Sequence, residues 1–169
     1  VQLYNPTDQL IDLTGYIIKT QSSEQDAILP NSILGPNQYY LITDLGWEER
    51  KDNPDWPAAD HEEPITMTNT NGGVALKNGN QTLDIVCWGD TEFCDTPVAR
   101  TQPGHSLLRV NNTFIDSVPQ WKTSSSNSIQ LLVPVTNNPP TIHEATILID
   151  DNLDTEIIEI LPAPGKPKI

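Results

Sequence analysis

Positive charge is what this chain has least of. Lys and Arg total 9 against 23 Asp and Glu, for a formal net charge of −14. Its cations, among them Lys19, Lys51, Lys77, Arg100, Arg109 and Lys122, are scattered rather than gathered into a patch. A nucleic acid repels such a surface unless cations cluster, so no nucleic-acid partner is expected. Anionic lipid surfaces are disfavoured for the same reason. Long apolar runs are also missing. None approaches the roughly 20 residues needed to span a bilayer, so no direct membrane insertion is expected. No basic-then-apolar leader opens the chain, which begins inside a strand-like pattern, and an export signal is expected outside this stretch. With only 2 Cys and 3 His, the residues for a cysteine-rich zinc framework are not present. No amphipathic helical period runs for any length, which argues against a helical bundle.

What the chain does have is turn chemistry: 15 Pro and 9 Gly break a 36% hydrophobic content into short alternating segments. That is the strand signal. Val1 and Leu3 read as a strand running into the turn Asn5-Pro6-Thr7-Asp8, where Asx side chains bond nearby backbone and Pro fixes φ. Ile11, Leu13, Tyr16 and Ile18 read as the next strand, with Gly15 as a bulge or bend. Ile28–Pro30 and Ile33–Pro36 flank a further turn, and Gln38–Thr43 is a strong strand. From Trp47 to Glu63, Asp, Glu, Asn and Pro dominate, which predicts a long surface loop. Val74–Lys77 and Thr82–Trp88 form a hairpin about Asn78-Gly79, a type I′ dipeptide. Ser106–Val110 and Thr113–Val118 form another across Asn111-Asn112. After a Ser-rich stretch and the apolar run Ile129–Val135, the composition over 134–141 (Asn137-Asn138-Pro139-Pro140) predicts a stiff linker. Residues 142–169 carry two strand-like runs, Ala145–Ile149 and Glu156–Leu161. They are too short for an independent domain and read as a partial second β segment. The fold class expected is all-β.

Five short motifs resemble one family in order. Val1-Gln2-Leu3-Tyr4-Asn5-Pro6-Thr7-Asp8 with Ile11-Asp12-Leu13-Thr14-Gly15-Tyr16 resembles the opening of the lamin-tail domain. Leu34-Gly35-Pro36-Asn37-Gln38-Tyr39-Tyr40-Leu41 is similar to its turn into a strand. Leu83-Asp84-Ile85-Val86-Cys87-Trp88-Gly89 and Gly104-His105-Ser106-Leu107-Leu108-Arg109 resemble two later segments, and Trp121 stands where the family has a late tryptophan. The resemblance covers roughly residues 1–130. It implies an immunoglobulin-like β-sandwich of the lamin-tail type over 1–133 with a short C-terminal β extension. It also implies an accessory, non-catalytic module of a secreted or cell-surface protein. The chain departs from the family in lacking a first strand upstream of Val1, in the acidic Trp47–Glu63 insertion, and in its Ser-rich ending. A missing first strand leaves an edge open to pairing, by the tail run Ala145–Ile149 or Glu156–Leu161, or by a second copy.

Several residues invite chemistry. Cys87 and Cys94, with six residues between them, form neither a redox motif nor a zinc site, and are expected to be joined in a disulfide. A disulfide points to an oxidising compartment. Asp150, Asn152, Asp154 and Glu156 present oxygens at alternate positions, as a calcium loop does, but Thr155 and Leu161 stand where an EF-hand needs Gly and Glu. Asp52, Asp55 and the run Asp60–Glu63 could collect a hard cation or be a solvated loop. Trp47 and Trp56, in that same loop, are the pair free to stack on a sugar. Asn80 and Asn111 open glycosylation tripeptides on hairpin turns. His61, His105 and His143 lie far apart, and Ser106 lacks a nucleophile elbow, so no catalytic residue and no enzyme activity is expected. No cofactor is expected unless calcium binds. The reading is a structural, scaffold or adhesion module whose partners are other domains of its parent or other surface proteins. The alternatives are a carbohydrate- or calcium-binding module using Trp47–Glu63, and an intracellular filament-associated scaffold domain.

Overall fold

The computed structural model describes residues 1–110 and 113–124, together with the backbone of Ile158–Ile160. The linker 134–141, the run Ala145–Ile149 and the residues Asn111, Asp150, Asn152, Asp154 and Glu156 lie outside the described residues.

The described chain is all-β. Its strands are β1 (Gln2–Tyr4), β2 (Ile11–Asp12), β3 (Tyr16–Thr20), β4 (Ala27–Ile28), β5 (Ile33–Leu34), β6 (Tyr39–Thr43), β7 (His61–Glu62), β8 (Gly72–Asn78), β9 (Gln81–Trp88), β10 (Ser106–Val110), β11 (Thr113–Ser117) and β12 (Ile158–Ile160). One four-residue helix, α1 (Trp47–Arg50), interrupts them. The largest sheet has the order β4-β3-β8-β9; the others are β1-β6-β7, β11-β10-β12 and the pair β2-β5. This is the arrangement expected of an all-β sandwich.

Alternation explains which faces are buried. Along β3, Tyr16, Ile18 and Thr20 are buried while Ile17 and Lys19 are half-exposed. Tyr16, Ile18, Val74, Leu76, Val86 and Trp88 from the large sheet meet Leu3, Tyr40, Ile42 and Leu107 in one apolar cluster. Arg109 of β10 crosses to β9, its Nη2 lying 2.7 Å from Asp84 Oδ1 with the guanidinium 4.7 Å over the Phe114 ring. The pair is largely buried and ties the two layers together.

β6 departs from alternation, because all five of its residues are buried. Tyr40 and Ile42 face the main cluster. Leu41, opposite Gln2 of β1 in the register, faces the other way and is just as inaccessible. A strand buried on both faces needs a cover on each side.

Three expectations are corrected. The run read as one strand over Ile11–Ile18 is two strands, and Gly15, expected as a bulge or bend, stands between them with φ +75°. The β8–β9 turn is centred on Gly79-Asn80, not Asn78-Gly79, since Asn78 is paired with Gln81. Only Gly79 has positive φ there, which is the sign pattern of a type II′ turn rather than I′. The cause is a bulge: Leu76 pairs with Asp84 but Lys77 with Thr82, so Leu83 is an extra residue that resets the register. Third, Trp47–Glu63 is not an irregular loop throughout. It holds α1 and β7, and β7 pairs in parallel with β6.

β10 is paired on both of its edges, with β11 and with β12. Ile158–Ile160, within the run Glu156–Leu161, lies antiparallel to β10 with Leu107↔Ile160, Leu108↔Glu159 and Arg109↔Ile158. The same three residues also approach β1, so β12 occupies the seam between the β10–β11 and β1–β6 pairs.

Asn5 is the main polar anchor of the core's edge. It is fully buried, and its Nδ2 donates to the carbonyls of Gln9, Leu34 and Gly35 at 2.8, 3.2 and 2.9 Å. Its Oδ1 accepts from Thr7 N and Thr7 Oγ1. The side chain expected to make a local turn therefore also pins the segment around β5. Replacing Asn5 by Ala leaves buried carbonyls without donors, and we expect a loss of about 2–4 kcal/mol in urea unfolding. Asn5→Asp is expected to cost at least as much, since a carboxylate cannot donate to Leu34 and Gly35. An effect of either below about 0.5 kcal/mol would remove Asn5 from this role.

Candidate functional site

The outer cover of β1 and β6 is built from the acidic segment and from residues 119–124. Trp47 and Trp56 stack face to face at 5.5 Å with 4° between their planes. Trp121 meets both edge-on, at 6.4 and 6.5 Å. Trp47 Nε1 donates to the Pro57 carbonyl at 2.8 Å, and Lys51 Nζ donates to the Trp56 carbonyl at 2.6 Å. Each indole of the expected sugar-facing pair thus turns one face to the other indole. Both remain half-buried, with some surface outward.

Three carboxylates of this segment, those of Asp60, Glu62 and Glu63, accept from backbone amides. Asp60 accepts from Leu41 N at 2.8 Å and from the backbone and hydroxyl of Ser124. Glu62 Oε2 accepts from the amides of Gly46 and Trp47, at the start of α1. Glu63 Oε2 accepts from Ile28 N and lies 3.0 Å from His61 Nε2. Asp44 accepts from Ile65 N, and Asp26 from Thr66 N. Backbone donors, from the partly buried Leu41 to the exposed Ile28 and Thr66, occupy these oxygens. Asp52 and Asp55 stay exposed, and among the described residues no group of three His, Cys, Asp or Glu is placed to hold a metal ion.

Residues 119–124 run back as a strap. The Lys122 amide reaches Gln2 Oε1 at 3.4 Å, its ammonium lies 4.9 Å from the Tyr39 ring centre, and Ser124 closes on Asp60. Beneath this cover Gln2 Nε2, Thr43 Oγ1 and Trp121 Nε1 are buried without a hydrogen-bond partner. Tyr40, whose hydroxyl meets Ser32 Oγ at 2.9 Å, has its pKa raised above the usual phenol value by burial. Burial raises Tyr16 in the same sense, while the hydrogen bond from Lys19 lowers that of Glu24.

The second cluster lies on the outer face of the large sheet. Cys87 and Cys94 are disulfide-bonded, with their α-carbons 5.9 Å apart. The loop they close lays the Phe93 ring on Gly73 and places it 5.6 Å from the Lys19 ammonium. Thr91 Oγ1 donates to Gln21 at 2.7 Å. Gly72 is approached by the Thr68 hydroxyl and, less closely, by the ring of Trp88, whose Nε1 donates to the Thr68 carbonyl. Sequence reasoning missed the Gly72-Gly73 pair. Its signal was two glycines directly before an alternating strand, a place where another group approaches the backbone.

The remaining candidates are spread over the surface. Asn80 is exposed at the second position of its turn. His105 Nδ1 pairs with Asp116 Oδ1 at 2.9 Å, and neighbouring Ser106 is fully buried with its hydroxyl on the Ser117 carbonyl. The structure does not join His61 to His105. No family model, curated protein or solved structure matches the chain.

A methyl group on Gly73 would overlap the Phe93 ring. Gly73→Ala is therefore expected to destabilise the protein by about 1–3 kcal/mol. In a Phe93→Ala background the same substitution should cost much less, because the clash is gone. Denaturant melts of the four-variant cycle measure that coupling, and equal costs in both backgrounds would refute the contact.

Proposed function

We propose that this chain is a non-catalytic structural or adhesion module, of immunoglobulin-like lamin-tail type, within a larger secreted or cell-surface protein. The observation that carries the reading is where the chemically capable side chains point. Asp26, Asp44, Asp60, Glu62 and Glu63 each hold backbone amides of neighbouring segments, and Arg109 and Asp84 tie layer to layer. These groups are committed to architecture rather than to a cleft. The Cys87–Cys94 disulfide supports an oxidising location, and no helix among the described residues is long and apolar enough to cross a membrane. The lamin-tail likeness is supported by the motif residues doing structural work: Asn5 in its turn, Trp88 in the core, Arg109 between layers.

A second reading, a ligand-binding module at the tryptophan layer, is favoured by three buried polar atoms there without partners, Gln2 Nε2, Thr43 Oγ1 and Trp121 Nε1. Thermal melting of the unreduced full chain separates the two. A ligand present at about a hundred times its Kd adds about 2.7 kcal/mol to stability and must raise Tm. The structural reading predicts no saturable shift with calcium or with a panel of soluble glycans. A saturable rise that Trp47→Ala and Trp56→Ala abolish would replace it with the second reading.

A further inference from the structure

Two Asn residues of this chain precede a Gly, Asn71 and Asn78. An Asn side chain can swing so that its carbonyl carbon meets the amide nitrogen of the next residue, and Gly offers that nitrogen with no Cβ in the way. The structure treats the two pairs differently. Asn71 Oδ1 accepts from the Asp90 amide at 3.0 Å and from Arg100 Nη2 at 3.1 Å. The Gly72 that follows is buried, and a Cβ there would lie 2.7 Å from the Thr68 hydroxyl and 3.1 Å from the Trp88 ring. Asn78 stands in the open. It and Gly79 are both exposed, and a Cβ on Gly79 would meet nothing within 4 Å. The Asn78 side chain reaches the Tyr16 hydroxyl. Its backbone ends two ladders at once, paired with Tyr16 of β3 and with Gln81 of β9. Ladder ends open first, and the bulge at Leu83 interrupts the β8–β9 ladder close to this end.

We propose that Asn78 is a site of spontaneous covalent modification, where the chain rebuilds its own backbone into an isoaspartyl link. The Gly79 nitrogen bonds to Asn78 Cγ. The Cγ–Nδ2 bond breaks, and Nδ2 leaves as ammonia with the proton that the Gly79 amide gives up. The five-membered imide then takes up one water. Addition at the side-chain carbonyl restores the ordinary backbone, with Asp at this position. Addition at the main-chain carbonyl leaves the chain running through Cβ and Cγ, with the α-carboxylate free. Nothing is oxidised or reduced: Asn and water become isoaspartate and ammonium. The isoaspartyl backbone is one methylene longer, so the pairs with Tyr16 and Gln81 lose their common register. The new carboxylate also joins Asp12 in facing Tyr16, in a chain whose formal charge is already −14. The inference rests on the hairpin's geometry and not on the proposed function.

Peptide mapping of the full-length, unreduced chain, held folded at physiological temperature and mildly alkaline pH, tests it. The expected result is a mass gain of about 1 Da at position 78, where an amide has become a carboxyl. Backbone fragmentation should identify isoaspartate there, formed at a rate that rises in proportion to hydroxide, while Asn71 stays intact. In concentrated urea, where neither side chain is held, both positions should convert. A folded chain that converts at neither position, while both react in urea, would show that the hairpin guards Asn78 and would overturn the proposal. Equal rates at 71 and 78 in the folded chain would show that the structure does not select between them, and would overturn it too. Aspartate at 78 with no isoaspartate would mean direct hydrolysis of the side-chain amide without the imide, which contradicts the proposed chemistry.

Discussion

The structure depends on covering β6 from both sides. A strand whose five residues are all buried cannot sit on the surface of a two-layer protein. One face of β6 meets the main cluster through Tyr40 and Ile42. The other face, with Leu41, requires a second small core, and the segment after β6 together with residues 119–124 supplies it. Fully burying a side chain of this size contributes roughly 1.5–3 kcal/mol. The layer of Trp47, Trp56 and Trp121 joins two segments more than sixty positions apart in the chain, and Asp60 ties it to the Leu41 amide.

That requirement explains the acidity locally. Chain that folds back over a sheet without regular pairing leaves amides without a strand partner. Carboxylates with short side chains answer each of them with a strong acceptor. Asp60 is the clearest case, since one carboxylate joins the Leu41 amide of β6 to Ser124 of the strap. Asn5 does the complementary task, donating from an amide to the carbonyls of Leu34, at the end of β5, and of Gly35 beyond it. Arg109 and Asp84 bridge the layers, and the Phe114 ring lies against the guanidinium.

How far these features can be read from sequence follows from how local they are. β3, β6, β8, β9, β10 and β11 were legible because alternation and turn residues act over a few positions. The disulfide was legible because its two cysteines stand close together in a chain that has no others. The role of Trp47–Glu63 was not legible: a run of Asp, Glu and Pro has the same composition whether its carboxylates face water or cap buried amides. The parallel pairing of β7 with β6 leaves no periodic trace over two residues. The turn at Gly79-Asn80 was misplaced by one residue because a bulge at Leu83 breaks the count between strand and turn. Gly73 went unnoticed because the reason for it, Phe93, arrives across a disulfide loop. Asn5 was half-read, its local turn visible and its reach to Leu34 and Gly35 hidden.

Hydrogen exchange of the full-length chain at single-residue resolution tests the two-sided burial of β6 most directly. The account predicts that the amides of Lys122 and Ser124, bonded to Gln2 and Asp60, are protected together with Leu41 and Ile42 of β6 and open with them as one unit. If residues 119–124 and 47–62 exchange at the rate of free chain while β6 stays protected, the outer cover is not part of the fold's core, and the account of β6 is wrong.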